Sequence, residues 1–266
     1  MTSRHARRAA VALLGVVLAA PSAAAQRQVT LRVRPPIGDT LYVVLEQRFD
    51  MGRMGGANTP PVTGELWVWS HSVPLQRNGT STEVLSVTDS VRVTPPSAAM
   101  LQPLQAAKHA LEGRTVHLRI AENGELLVAG ADREGTATEL PALFPHGPVR
   151  VGESWTRDLR VPLSTTGTST ALVRTRFRFD SLGHDGAIAF VSMRGDVSHN
   201  HAEDAGHATG QTTGTLTGTM QLDRRLSWVT DSRMRLWLTS DVAAPGHAIT
   251  HRRMLITQIL RTSMGG

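Results

Sequence analysis

The chain of 266 residues contains no cysteine. That single absence excludes disulfides, thiol catalysis, iron–sulfur clusters, cysteine–zinc sites and an amino terminus lipidated on cysteine. Lysine is almost missing as well: Lys108 is the sole one, and arginine carries the rest of the positive charge. No block of about five or six basic residues occurs, so nucleic acid is not an expected partner. After the first twenty or so residues there is no apolar run approaching the ~20 residues of a membrane-spanning helix. The linear signatures of catalysis are also absent: no Gly-x-Ser-x-Gly elbow, no His-Glu-x-x-His, no phosphate-cradling glycine loop and no dinucleotide fingerprint. The chain is therefore expected to be no enzyme and to carry no cofactor, the alternative being a hydrolase whose triad is scattered along the sequence.

What is present begins with a leader. Arg4, His5, Arg7 and Arg8 form a basic start, residues 9–20 form a short apolar run ended by Pro21, and Ala23, Ala24 and Ala25 supply the small residues of a cleavage site. Residues 1–25 read as a signal peptide, cut before Gln26, and the mature protein as periplasmic or secreted. The formal charge of +6 then falls to about +3. About 240 residues remain, enough to bury roughly 70% of the surface of the unfolded chain. They read as a single β-domain, residues 26–266.

That domain looks like one unit written twice, about 37–129 and 151–238, followed by a C-terminal strand at 249–260. Ile37-Gly38-Asp39-Thr40-Leu41-Tyr42 and Val151-Gly152-Glu153-Ser154-Trp155 both run aliphatic, glycine, acid, hydroxyl and then an aromatic. Each opens an alternating segment, 40–51 in the first copy and 155–163 in the second. Next come 65–70 and 171–179, then the turns Asn78-Gly79 and Asp185-Gly186, then returning strands at 83–93 and 187–197. In the first copy, residues 97–111 carry Met100, Leu104, Ala107 and Leu111 at helical spacing, firmest over 103–111, with Gly113 placed as a C-terminal cap. In the second, a histidine-rich loop at 199–214 takes that place. Closing hairpins turn at Asn123-Gly124 and Asp223-Arg224, and a short helical turn is expected at 136–144. The fold class is thus all-β with one or two short helices: a duplicated antiparallel meander of about ten strands, closed as a barrel, half-barrel or sandwich.

The pair Gly38-Asp39-Thr40-Leu41-Tyr42 and Val151-Gly152-Glu153-Ser154-Trp155 resembles the paired Gly-Asp-x-x-Tyr and Val-Gly-Asp/Glu-Ser-Trp motifs of an uncharacterised family of exported bacterial β-proteins. The likeness extends from Leu31 to about Leu238. It implies export and a β fold, and no activity. More remotely, a curved sheet with a helix inside is similar in layout to the periplasmic lipoprotein carriers, which shelter acyl chains in a half-barrel.

Several groups could carry chemistry. Asp39 and Glu153 are either paired carboxylates or caps of backbone amides, with Tyr42 or Trp155 plugging one end of the core. His199, His201, Asp204 and His207 are weak metal candidates, and the plainer reading is a solvated loop without a metal. Trp67 and Trp69 lie two apart with Leu66 and Val68 opposite, so their strand is apolar on both faces. Either the helix covers one face or the tryptophans line a cavity. Arg174, Arg176 and Arg178 form a stripe that Arg233 and Arg235 could extend, able to grip an anionic headgroup or simply to keep a face in water.

The leading expectation is an exported, non-enzymatic protein that binds an apolar or amphiphilic ligand, a lipid for example, between sheet and helix. Trp67, Trp69 and Met100 would meet the tail, and Arg174, Arg176 and Arg178 the head. The rival is a structural or interaction module of the envelope with a filled core. Neither ligand identity nor oligomeric state follows from the sequence.

Overall fold

The computed structural model describes residues 28–53, 62–95, 101–129, 142–162, 170–201, 209–243 and 249–265. In chain order the elements are β1 (Leu41–Arg53), β2 (Val62–Asn78), β3 (Ser81–Thr94), α1 (Leu101–Leu111), β4 (Thr115–Ala121), β5 (Leu126–Ala129), β6 (Ser154–Pro162), β7 (Thr170–Gly183), β8 (Ile188–His201), β9 (Thr209–Asp223), β10 (Trp228–Ala243) and β11 (Thr250–Met264). The eleven strands form one antiparallel sheet in the order β5-β4-β3-β2-β1-β11-β10-β9-β8-β7-β6. Two up-and-down meanders, β1 to β5 and β6 to β11, meet where β1 pairs with β11, Leu41 opposite Met264 and Arg53 opposite Arg252. The all-β antiparallel expectation holds, with one short helix.

Period-two patterning makes these strands and gives the sheet two unlike faces. In β7, Ala171, Val173, Thr175, Phe177 and Phe179 are buried while Leu172, Arg174, Arg176 and Arg178 are exposed. The buried set of β7 continues through Val191 and Met193 of β8, Leu216 and Met220 of β9, and Leu236 and Leu238 of β10. Burying that face is the main stabilising term, at about 25 cal/mol per Å² of apolar surface removed from water.

The sheet is not closed into a barrel: β5 and β6 are its hydrogen-bonding edges. It nevertheless curls until those edges face one cavity, to which β5 contributes Leu126 and β6 contributes Leu159. Glycines on the inner face allow the curl. A Cβ on Gly214 would stand 2.0 Å from the carbonyl oxygen of Trp237, and one on Gly218 would stand 2.5 Å from that of Arg233, so neighbouring backbone occupies the space a side chain would need.

One end of the curl is capped by irregular chain. The amides of Leu143 and Phe144 donate to the carbonyl of Asn123 in the β4–β5 turn, at 2.9 and 2.8 Å. From β6, Trp155 Nε1 donates to the Leu143 carbonyl (2.8 Å), and Arg157 Nε and Nη2 donate to those of Ala142 and Phe144 (both 3.0 Å). This short segment therefore bridges the two edges that the ladder leaves unpaired. Beside it, Val29 and Val149 exchange both backbone bonds at 2.9 Å, Val33 donates to Glu122 and Arg34 to Ser227. Leu31, Phe144 and Val149 are buried there.

Several sequence expectations change in detail. Strand β2 continues to Asn78 rather than ending at Ser70, and β9 starts at Thr209, within the stretch expected as loop. Residues 199–201 belong to β8, with His199 opposite Thr212 and His201 opposite Gly210, so both ends of the expected loop are strand. A threonine-rich partner at 209–215 supplies the ladder, and β-branched threonine suits a pleated surface. Residues 142–144 are not helical, and 136–141 lie outside the described residues.

The two glycine corners do form matching turns. Gly38 (φ 85°) donates to Pro74 of β2 at 2.8 Å, and Gly152 (φ 89°) to Phe179 of β7 at 2.7 Å. In each case the acceptor stands at a bulge, Pro74/Gln76 against β3 and Phe179/Ser181 against β8. Their aromatics diverge, however. Trp155 stacks on Phe177 with centroids 5.8 Å apart, whereas Tyr42 is 48% exposed. Trp155 follows its glycine by three residues and Tyr42 by four, and one residue changes the face of a strand. The true counterpart of Trp155 is Leu41, which is fully buried.

Candidate ligand-binding site

The concave side of the sheet encloses a cavity of about 410 Å³ to which all eleven strands contribute. One wall is apolar: Leu118, Leu126, Leu159, Phe177, Met193 and Met220. The facing wall carries a seam of hydroxyls and an amide, Ser70, Ser72, Ser86, Ser232, Gln258 and Thr262, beside Val43, Met234 and Leu260. Ser72 Oγ donates to Ser86 Oγ across the β2–β3 pair at 3.1 Å. Thr262 Oγ1 is buried and has no hydrogen-bond partner. No ionisable side chain occurs among the described lining residues.

The residues singled out from sequence lie elsewhere. Ser70 and Ser72 of β2 face the cavity, so Trp67 and Trp69, at odd positions of the same strand, project from the opposite face. There they stack on each other, with centroids 5.9 Å apart and 15° between planes. The guanidinium of Arg92 on β3 sits 5.1 and 5.7 Å from the two rings. This is the cation–π arrangement expected where apolar rings meet solvent. The assignment of these tryptophans to a ligand tail is therefore corrected: the tryptophan that lines the cavity is Trp228, at the start of β10. Its direction was hidden in sequence because the β9–β10 ladder shifts register between Val229 and Asp231, which breaks simple alternation.

No α1 residue is among the described lining either, so the expected place of a ligand between sheet and helix is also corrected. The helix packs beside the half of β3 that β4 does not pair. Gly113 donates to Thr88 at 2.9 Å, and Glu112 Oε1 accepts from the Val91 amide at 3.0 Å. Met100 lies outside the described residues.

The arginine stripe forms on the outer face. Arg176 and Arg178 join Arg194 of β8 and Arg233 and Arg235 of β10 along a groove of about 940 Å³. Arg174 stands one register further on, opposite Asp158 and Asp196. Phe177 points into the cavity while its neighbours Arg176 and Arg178 line the outer groove. The sheet thus stands between the two sites, whose linings share only Met193 and Met234, and these arginines project away from the interior that a tail would fill.

Glu153 acts as a cap, its Oε2 accepting from the Arg150 amide at 2.9 Å. Five strands stand between β1 and β6 in the sheet, so Asp39 and Glu153 are not ladder neighbours. Among the described residues no three His, Asp or Glu side chains converge as a metal site. His207 and Asp204 lie outside those residues, as do the side chains of His199 and His201. Among the described residues no helix is long and apolar enough to cross a membrane. No protein-family model matches the chain, and a search of curated proteins finds no match.

Proposed function

We propose that this is an exported binding protein that holds a neutral or weakly polar, largely apolar molecule in the hollow of its curled sheet and leaves it chemically unchanged. The observation that carries the reading is the cavity of about 410 Å³ with one wall of aliphatic and methionine side chains and one seam of hydroxyls. Ligand pockets run from about 300 to 1,000 Å³, so the space suits one drug-sized molecule or a single chain rather than a lipid with several. Met193, Met220 and Met234 add adaptable surface, as unbranched thioethers fit ligands of varied outline. The buried, unpaired Thr262 hydroxyl is a hydrogen bond waiting for an acceptor or donor, since leaving such a group unsatisfied costs roughly 1–3 kcal/mol. Among the described lining residues the seam holds hydroxyls but no base to activate one, which favours holding over hydrolysis.

Trp228 makes the test direct. Native mass spectrometry of gently purified protein should reveal a co-purified molecule of low polarity. Titration of the stripped protein with retinol, an uncharged polyene alcohol, should quench tryptophan emission by energy transfer, Trp228 being the donor that touches the cavity. A clean apo mass together with unchanged emission would sink the reading.

A further inference from the structure

We propose that the outer groove of the second meander is a separate binding site for a phosphate-class oligoanion. Two lateral rows build it. The pairing register aligns Thr156, Arg176, Arg194, Thr217, Arg235 and Thr257 across β6, β7, β8, β9, β10 and β11. The adjacent row is Ser154, Arg178, Ser192, Thr219, Arg233 and Ile259. All but Thr156 line the groove of about 940 Å³.

The two rows differ in how their charge is met. Arg178 lies 3.8 Å from Asp180, and Arg233 lies 3.2 Å from Asp231. Arg176, Arg194 and Arg235 have no carboxylate partner among the described residues, and Arg176 and Arg194 stand directly opposite each other on neighbouring strands. Like charges so placed destabilise a sheet. An anion between them reverses the sign of that term, and a guanidinium fork binds phosphate through two parallel bonds. The strand spacing of ~4.8 Å puts Arg176 and Arg235, three strands apart, at about 14 Å. One carboxylate or one orthophosphate does not reach both, but a chain bearing charge on each unit does. Thr217, Thr219 and Ser192 supply hydroxyl donors between the forks. This site is on the far side of the sheet from the cavity and does not rest on the function proposed for it.

The test uses sodium tripolyphosphate as probe in isothermal titration calorimetry with the mature chain. Binding near 1:1, weakening as salt rises, is expected. The triple change R176Q/R194Q/R235Q should weaken it by about 100-fold or more, since each charge-assisted pair contributes on the order of tenfold. The control triple R32Q/R114Q/R225Q alters net charge equally at exposed arginines elsewhere and should stay within about twofold. Thermal melts confirm that both variants fold. A second arm measures sedimentation with phosphatidylglycerol vesicles. Equal tripolyphosphate binding by both triples, or no binding by the native chain, overturns the proposal. Vesicle binding without tripolyphosphate binding also overturns it and assigns the face to a membrane surface.

Discussion

Strands β7 to β10 present two surfaces of opposite chemistry a single backbone apart. Inward they offer Val173, Phe177, Met193, Leu216, Met220 and Leu236; outward they offer Arg176, Arg178, Arg194, Arg233 and Arg235. The same residue types shifted by one place would exchange the faces entirely. The comparison teaches that position parity, more than composition, decides which groups can act together. It also explains why an apolar cavity and a cationic groove can coexist in a chain whose formal charge is only +6.

The largest break of that asymmetry comes from exchanging neighbours. Phe177→Arg places an unpaired charge where exposure is 1% and should cost about 4 kcal/mol, a large share of the ~5–15 kcal/mol that holds a domain folded. Arg176→Phe, one residue away on the exposed face, should change stability by no more than about 0.5 kcal/mol. Urea titration of the pair measures the difference, and comparable losses for both would mean that the two faces are not distinct.

Gly214 and Thr215 repeat the contrast with backbone in place of charge. Gly214→Val drives a Cβ toward the Trp237 carbonyl and should lose about 3 kcal/mol or more, because the neighbour is ladder backbone that cannot turn aside. Thr215→Val, on the exposed side of the same strand, should be nearly neutral. A melt in which Gly214→Val is as stable as the native chain would show that the close approach at β9–β10 does not govern the curl.

Leu260→Trp should separate binding from folding. Leu260 lines the cavity but not the outer groove and is only partly buried, so a larger side chain there occupies ligand space at a cost of at most about 3 kcal/mol. Retinol affinity should fall at least about tenfold, with tripolyphosphate binding at the outer groove unchanged. Loss of both together would mean that the two sites are coupled through the sheet.

Much of the architecture was legible because it rests on period two. Phe177 and Phe179 against Arg176 and Arg178 is the plainest case, and the glycines at 79, 124 and 186 take the positive φ that hairpins need. What could not be read was set by geometry that leaves no local trace. Alternation puts Trp67 and Trp69 on one face, but which face turns inward depends on β2 pairing with β1, where Val68 opposes Leu45. The bulge before Asp231 concealed Trp228. The open edges bridged by residues 142–150 could not be foreseen either, since no periodicity says where an irregular segment lies. Arg194 escaped notice because the β8 alternation interrupts its arginine pattern after one residue, and only the register joins it to Arg176.

The finest test concerns one atom. Thr262 lies opposite Val43 of β1, and on its other side the β10–β11 ladder stops one residue short of it, at Asp231 opposite Arg261. Its hydroxyl therefore faces the hollow without a partner of its own. Valine has nearly the same shape, so Thr262→Val removes the orphaned oxygen and little else. The empty protein should gain about 1 kcal/mol, visible as a higher urea midpoint with unchanged slope. Binding should move the other way, and selectively. A fatty alcohol should bind several-fold more weakly, while an alkane-tailed probe with no polar end should bind as before. A variant that loses stability would show instead that a bound water satisfies the hydroxyl, and the seam would then be part of the scaffold rather than of the site.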